Sequence, residues 1–226
     1  MFVHGLGCAA SYEYPRVAAD KNFSGRRAIL IDLPGYGYSE KPKDFSYSIT
    51  DQAAVVAELI SHLNLKKFFL YGHSMGGSIC IEASQRLAEG LCALIVSEPN
   101  FHPGGGFFSK QICSYTEDNY VARIHASLVA EETGPWAGSL SVAAPWAIWR
   151  GADSLITGNN WFEMFAHLKI PKNLIFGESS LPDSDFTKVQ TLKITTTVLP
   201  DCGHSMSWEN PSALSHALDA FCKMHE

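Results

Sequence analysis

No stretch of this 226-residue chain approaches the ~20 consecutive apolar residues that a membrane-spanning helix requires. No run of Lys and Arg stands out either. Seventeen Lys and Arg against 23 Asp and Glu leave a net charge of −6, which argues against nucleic-acid and anionic-membrane partners. The six cysteines (Cys8, Cys80, Cys92, Cys113, Cys202 and Cys222) are scattered, without C-x-x-C or a zinc-like spacing. Buried or free thiols in a reducing cytoplasm are therefore expected, with no metal site. Gly104-Gly105-Gly106 is not a phosphate loop, because no Gly-Lys-Ser/Thr follows. Gly35-Tyr36-Gly37 lacks the third glycine and the helix opening of a dinucleotide fingerprint. No cofactor is implied. What is present, at 46% hydrophobic residues, is enough apolar material for one domain with a full core and room for an insertion.

Chemistry concentrates at Gly72-His73-Ser74-Met75-Gly76. The apolar run Phe68-Phe69-Leu70-Tyr71 ahead of it reads as a buried strand. Residues 78–87 behind it fit a helix, with Ile79, Ala83 and Leu87 on one face. Strand, G-x-S-x-G, helix is the pattern of a nucleophile elbow, in which a sharp turn projects the serine hydroxyl into open space. Glycine is needed on both sides because strand and helix backbones pass too close for a Cβ.

Around that centre, strand and helix patterns alternate. Phe2-Val3 reads as a strand end and residues 28–33 as an apolar run. Residues 91–97, 173–177 and 195–199 read as further strands. Thr50-Asp51 is expected to cap a helix with Val56, Leu59, Ile60 and Leu63 inward, and Asn210-Pro211 to open the last helix. Such alternation implies an α/β fold: a mostly parallel sheet with helices on both faces. Between Asn100 and His167 it stops, and four of the five tryptophans (Trp136, Trp146, Trp149, Trp161) fall there. A helical cap over 100–167, inserted into a core of 1–99 and 168–226, is the expected organisation.

Together the elbow, the His4-Gly5-Leu6-Gly7 turn and the D-x-P-G-x-G-x-S stretch from Asp32 to Ser39 resemble the alpha/beta-hydrolase superfamily, over nearly the whole chain. Members usually carry a further hairpin before the His-Gly turn. It is not seen here, and the expectation is that residues precede Met1. The resemblance implies oxyanion donors at the backbone N–H groups of Leu6 and Met75, and a lid-like role for the aromatic insertion. Phe101, Phe107, Trp136, Trp146 and Trp161 are the candidate substrate contacts, although most of the insertion's aromatics are expected to pack its own core.

A serine at its ordinary pKa needs an imidazole to take its proton and a carboxylate to orient that imidazole. Asp201-Cys202-Gly203-His204-Ser205 lies between the last strand and the last helix, where the superfamily's histidine loop falls, so His204 is the expected base. His73 should point away from the serine hydroxyl, and His4 should brace the oxyanion loop. The acid departs from the commonest pattern, since Ser180 stands where many relatives place Asp. Two solutions remain open: Glu98, which ends the apolar run 93–97, or the pair Asp183 and Asp185 in a longer loop. Glu98 is favoured, because a charged residue ending a buried strand needs a partner, and protonated His204 would serve.

The resemblance thus implies a serine hydrolase that cleaves a small or medium apolar carboxylic ester through an acyl-enzyme. A carbon–carbon bond hydrolase of ring-cleavage diketones, a cofactor-free haloperoxidase-like side activity, and a hydrolase-fold ligand receptor are the alternatives. Small-molecule substrates and a monomer or homodimer are expected.

Overall fold

The computed structural model describes residues 1–23, 25–87 and 89–226. Six strands form one sheet: β1 (Phe2–Val3), β2 (Leu30–Ile31), β3 (Phe68–His73), β4 (Leu91–Ser97), β5 (Lys172–Gly177) and β6 (Thr195–Leu199). Their spatial order is β2-β1-β3-β4-β5-β6, and every neighbouring pair is parallel. β3 is bonded on one side to β1 (Val3 beside Gly72) and on the other to β4 (His73 beside Ser97).

Side chains alternate across the sheet, as the period of two requires. Val3, Leu70, Leu94, Val96, Leu174 and Phe176 join one apolar core. Phe2, Tyr71, Ala93, Ile95, Ile175 and Leu199 join the other. Helices Ile49–His62 and Met75–Arg86 cover the first face, and Pro211–Lys223 covers the second. Both faces being covered explains why the central strands read as continuous apolar runs. β6 is the exception: as an edge strand it is half exposed and carries three threonines.

The caps differ in one detail from expectation. Ser48, not Thr50-Asp51, caps the helix Ile49–His62, its hydroxyl accepting from the Asp51 N–H at 3.1 Å. Asn210 caps the final helix, accepting from the Ala213 N–H at 3.1 Å, and Pro211 takes the first turn. The elbow helix begins at Met75, three residues before the periodic apolar pattern does, because glycines fill its first turn.

Between β4 and β5 the chain makes a series of helices, the longest Pro145–Thr157. Polar contacts pin them to the sheet domain. The Trp161 indole and the Asn159 amide both donate to the Glu82 carboxylate, at 2.7 and 2.9 Å. Arg150 pairs with Glu117 at 2.8 Å and donates to the carbonyls of Lys43 and Phe45. No helix among the described residues is long and apolar enough to cross a membrane.

β1 is followed in the chain by β2 on one side of it, then by β3 on the other. The strand order therefore reverses at β1 and β3, and the crevice outside their carboxyl ends is where open parallel sheets bind ligands. The His4–Gly7 loop leaves β1 at that crevice, and Ser74 leaves β3 there.

Candidate active site

Ser74 sits between strand and helix with φ 53° and ψ −122°, a conformation in which few non-glycine residues are found. Backbone hydrogen bonds hold it there. Its N–H donates to the Ser97 carbonyl at 2.9 Å, and its own carbonyl accepts from Gly77 N–H at 2.9 Å. A Cβ on Gly76 would lie 2.4 Å from the Val3 carbonyl oxygen and 2.5 Å from that of His4, both backbone atoms. Gly76→Ala is accordingly expected to destabilise the fold by about 1–3 kcal/mol through overpacking. A lower urea midpoint at unchanged m would report it, and an unchanged midpoint would refute the close crossing.

The His-Gly turn is fixed just as firmly. Leu33 N–H donates to His4 Nε2 at 3.1 Å, so that nitrogen is unprotonated and Nδ1–H donates to the Gly5 carbonyl at 2.8 Å. Burial pushes the His4 pKa down to about 4, which keeps the ring neutral in this bridge. The Trp136 indole N–H donates to the Leu6 carbonyl at 3.2 Å and so sets the plane of that peptide. Asp32 accepts from Ser11 N–H, Ser11 hydroxyl and Tyr38 N–H at 2.7–3.0 Å, tying the D-x-P-G turn to the segment after the His-Gly turn.

His204 and Glu98 come from loops 106 residues apart in sequence, and His204 Nδ1 lies 2.8 Å from Glu98 Oε2. A carboxylate only accepts, so Nδ1 carries the proton and Nε2 is the free lone pair. The other Glu98 oxygen accepts from Gly177 N–H at 2.9 Å. Burial raises the Glu98 carboxyl, but the bonds from His204 and Gly177, with Ser180 assisting, outweigh it and hold the group below the ordinary carboxylate range. Ser180, at the position where many relatives place Asp, thus supports the Glu98 carboxylate.

Asp183 and Asp185 are engaged differently. Asp183 caps the helix Ser184–Thr191, accepting from the N–H groups of Asp185 and Phe186 at 2.9 and 2.8 Å. Asp185 pairs with His102 at 3.0 Å and Lys188 at 3.5 Å.

Ser74 and His204 line one cavity of about 520 Å³, together with Gly5, Leu6, His73 and Asn100. Its apolar wall is made by Phe107, Phe108, Pro135, Trp136, Leu155 and Trp208. Phe107, 76% exposed, stands at the mouth, and Phe108 packs on Trp136 with ring centroids 4.8 Å apart. The other three candidate contacts fall outside this wall. Phe101 is buried against Phe162 and Phe165. Trp161 is 1% exposed and bound to Glu82. Trp146 packs against the core with the Lys43 ammonium over its ring. Composition could not separate wall from core, since both use the same rings.

Two residues that sequence reasoning did not assign to the site also belong to it. His73 lines the cavity, bonds the Ser97 hydroxyl at 3.0 Å and packs on the His204 ring at 4.6 Å between centroids. Burial, with the His204 charge second, holds its pKa well below the ordinary imidazole value, so a neutral ring backs His204. Glu13 also lines the cavity, although only 4% exposed. Its Oε1 accepts from the Ser207 hydroxyl at 2.8 Å, joining the segment after the His-Gly turn to the helix after His204. The one legible signal for Glu13 was a carboxylate amid small and aromatic residues directly after the His-Gly turn.

Burial pushes the Glu13 carboxyl up to about 7, against the Ser207 bond and the His204 charge, which pull it down. Cys8, Tyr14 and Tyr71 are the other titratable groups that feel it. An acid whose pKa is higher folded than unfolded retains its proton in the native state while the unfolded chain releases it. Stability is therefore lost as pH rises from about 4.5 to about 7, by roughly 3 kcal/mol in all. Glu13→Gln should remove this slope. Urea unfolding at pH 5 and pH 8 measures it, and wild type and variant losing equal stability between those pH values would refute it.

A family model described as the alpha/beta hydrolase fold matches residues 1–112. The bovine mesoderm-specific transcript homolog protein is 28% identical over 112 residues, 49% of this chain and 33% of that protein. The 2-succinyl-6-hydroxy-2,4-cyclohexadiene-1-carboxylate synthase of Salmonella typhimurium is 26% identical over 240 aligned positions, covering 96% of this chain and 91% of the synthase. The chain thus spans about a third of the first relative's length and nearly all of the second's. Among solved structures, a thermophilic esterase from Thermogutta terrifontis superposes with a TM-score of 0.78 at 20% identity, covering 100% of this chain and 89% of the esterase.

Proposed function

We propose that this chain, which belongs to the alpha/beta-hydrolase fold family, is a serine hydrolase that cleaves small or medium apolar carboxylic esters through an acyl-enzyme. The observation that carries this reading is the 2.8 Å pair of His204 and Glu98 on the cavity that Ser74 also lines. Ser74 Oγ attacks the ester carbonyl while His204 Nε2 takes its proton. Glu98, held ionised by its two bonds, keeps the imidazole in the accepting tautomer and stabilises the imidazolium that forms.

The negative charge that develops on the carbonyl oxygen is met by the N–H groups of Leu6 and Met75. A donor of this kind is worth about 3 kcal/mol when it is preorganised. Preorganisation of the Leu6 N–H comes from the His4 bond to the Gly5 carbonyl of the same peptide, with the Trp136 bond to the Leu6 carbonyl fixing the peptide after it. His204 then returns the proton to the leaving alkoxide, and water, activated by the same imidazole, releases the acid. The apolar wall, with Phe107 and Trp136 as its substrate contacts, accommodates an uncharged acyl or aryl group.

A fluorophosphonate probe tests the reading, because it phosphonylates only an activated serine. The expected adduct maps to the peptide containing Ser74. Repeated turnover on aryl esters, beyond one covalent event, separates a hydrolase from a receptor with an inert pocket. Absence of labelling overturns the assignment.

A further inference from the structure

Tyr71, Ser97 and His73 form a buried polar chain that ends on the His204 ring. Residues two apart on a strand share a face, so Tyr71 and His73 of β3 point the same way. Ser97 of β4 is the register partner of His73 and stands beside it on that face. The Tyr71 hydroxyl lies 2.8 Å from Ser97 Oγ, and His73 Nδ1 lies 3.0 Å from the same oxygen. All three residues are at most 5% exposed, while their neighbours Phe2, Ala93 and Ile95 in this core are apolar. Buried polar groups are costly unless bonded, and once bonded they hold one another in place. The chain therefore gives His73 a fixed ring, where an apolar side chain would give only volume.

His204 needs such a neighbour. Its side chain is 52% exposed, and one side-chain hydrogen bond among the described residues, from Nδ1 to Glu98, ties it down. A single bond at the ring's edge leaves the ring free to turn about that bond. The contact with the His73 ring, 4.6 Å between centroids and 49° between planes, restricts that turn. Ser97 also holds the nucleophile, since its carbonyl accepts from the Ser74 N–H at 2.9 Å. One residue of β4 thus sets the backbone of Ser74 and, through His73, the plane of His204.

We propose that His73, anchored by the hydroxyls of Ser97 and Tyr71, orients the His204 imidazole for proton transfer from Ser74. The inference rests on the serine-hydrolase reading and adds to it how the base is aligned. His73 is a positioning residue: it acts through His204 and carries no proton between reactants, because burial keeps its ring neutral.

Steady-state kinetics on a neutral aryl ester test it. His73→Ala is expected to lower kcat by about thirtyfold, the scale of a slightly misplaced catalytic group, with KM changed less than about threefold. His73→Phe, which keeps a flat ring against His204, should return kcat to within about fivefold of wild type. The deciding comparison is made without the base. In His204→Ala, adding His73→Ala should change the residual kcat less than about twofold, because a residue that acts through His204 has nothing left to act on. A merely structural His73 would lower that residual rate by the same factor as in wild type. Equal factors in the two backgrounds, or no loss in His73→Ala, overturn the proposal.

Should His73→Ala fail to fold, Ser97→Ala cuts the anchor from the other side. It removes one oxygen from the chain and leaves the backbone bond to Ser74 in place. It should lower kcat about fivefold and leave the His204→Ala rate unmoved. A folded Ser97→Ala with wild-type kcat overturns the proposal. Fluorophosphonate labelling keeps the two readings apart. With Ser74 labelled and kcat indifferent to these substitutions, only this inference falls, whereas no labelling sinks the hydrolase reading and this inference with it.

Discussion

Ser74→Ala is expected to lower kcat on an aryl ester by roughly 10⁶-fold, the scale seen when the nucleophile of a serine triad is removed. The expectation is large because Ser74 alone stands at the elbow, and of the other serines on the cavity wall Ser109 and Ser139 donate their hydroxyls to the Gly106 and Trp136 carbonyls. Cys8 is the one thiol there among the described residues, and burial beside the Glu13 carboxylate raises its pKa well above the ordinary thiol value. The substitution should leave folding nearly untouched. Alanine meets the same strain as serine at φ 53°, and the bonds that hold the turn are made by the backbone. Steady-state kinetics with a matched thermal unfolding curve is the measurement. A variant that retains more than about a thousandth of wild-type kcat while folding normally would place the nucleophile elsewhere.

Glu98→Gln should cost about 10⁴ in kcat, the effect of exchanging a triad acid for its amide. The reason is tautomeric. A carboxylate can only accept, so it forces the proton onto His204 Nδ1 and leaves Nε2 able to take the serine's proton. An amide can instead donate to Nδ1, which places the ring proton on Nε2 and blocks that step. Charge matters too, since an ionised Glu98 stabilises the imidazolium and a neutral amide does not. The double substitution Asp183→Asn and Asp185→Asn should change kcat less than threefold. Asn still caps the helix Ser184–Thr191, and Asp185 is turned to His102 and Lys188. Equal losses in the two variants would remove Glu98 from its assigned role.

How much of this was legible beforehand depended on whether the signal was local. G-x-S-x-G between an apolar strand and a helix is a local pattern, because the tight crossing dictates glycine within two residues of the serine. His204 was readable from its place between the last strand and the last helix. The parallel sheet followed from alternation, since strands covered on both faces must be apolar throughout. Boundaries were read less well where neighbouring hydroxyls compete: Ser48 and Thr50 flank the helix start at Ile49, and Ser48, extended at ψ 153°, takes the cap.

The acid, the cavity wall and Glu13 lie beyond such reasoning. Glu98, Asp183 and Asp185 all stand after strands that end at the same sheet edge, and sequence favours Glu98 only weakly. The lengths of the β4 and β5 loops decide which carboxylate reaches His204, and that is a distance across the sheet. Phe107 and Trp136 on the cavity and Phe101 and Trp161 in the core are equally aromatic, and only packing of the insertion against Glu82 and the first core tells them apart. By itself, then, the sequence determined the strand order's raw material, the serine and the imidazole, because each is imposed by its immediate neighbours. The tertiary structure alone brought Glu98 to His204, divided the rings between cavity wall and core, and buried Glu13. Those depend on which loops converge at one end of the sheet, and residues as far apart as Glu13 and Ser207 have no local pattern to announce their contact.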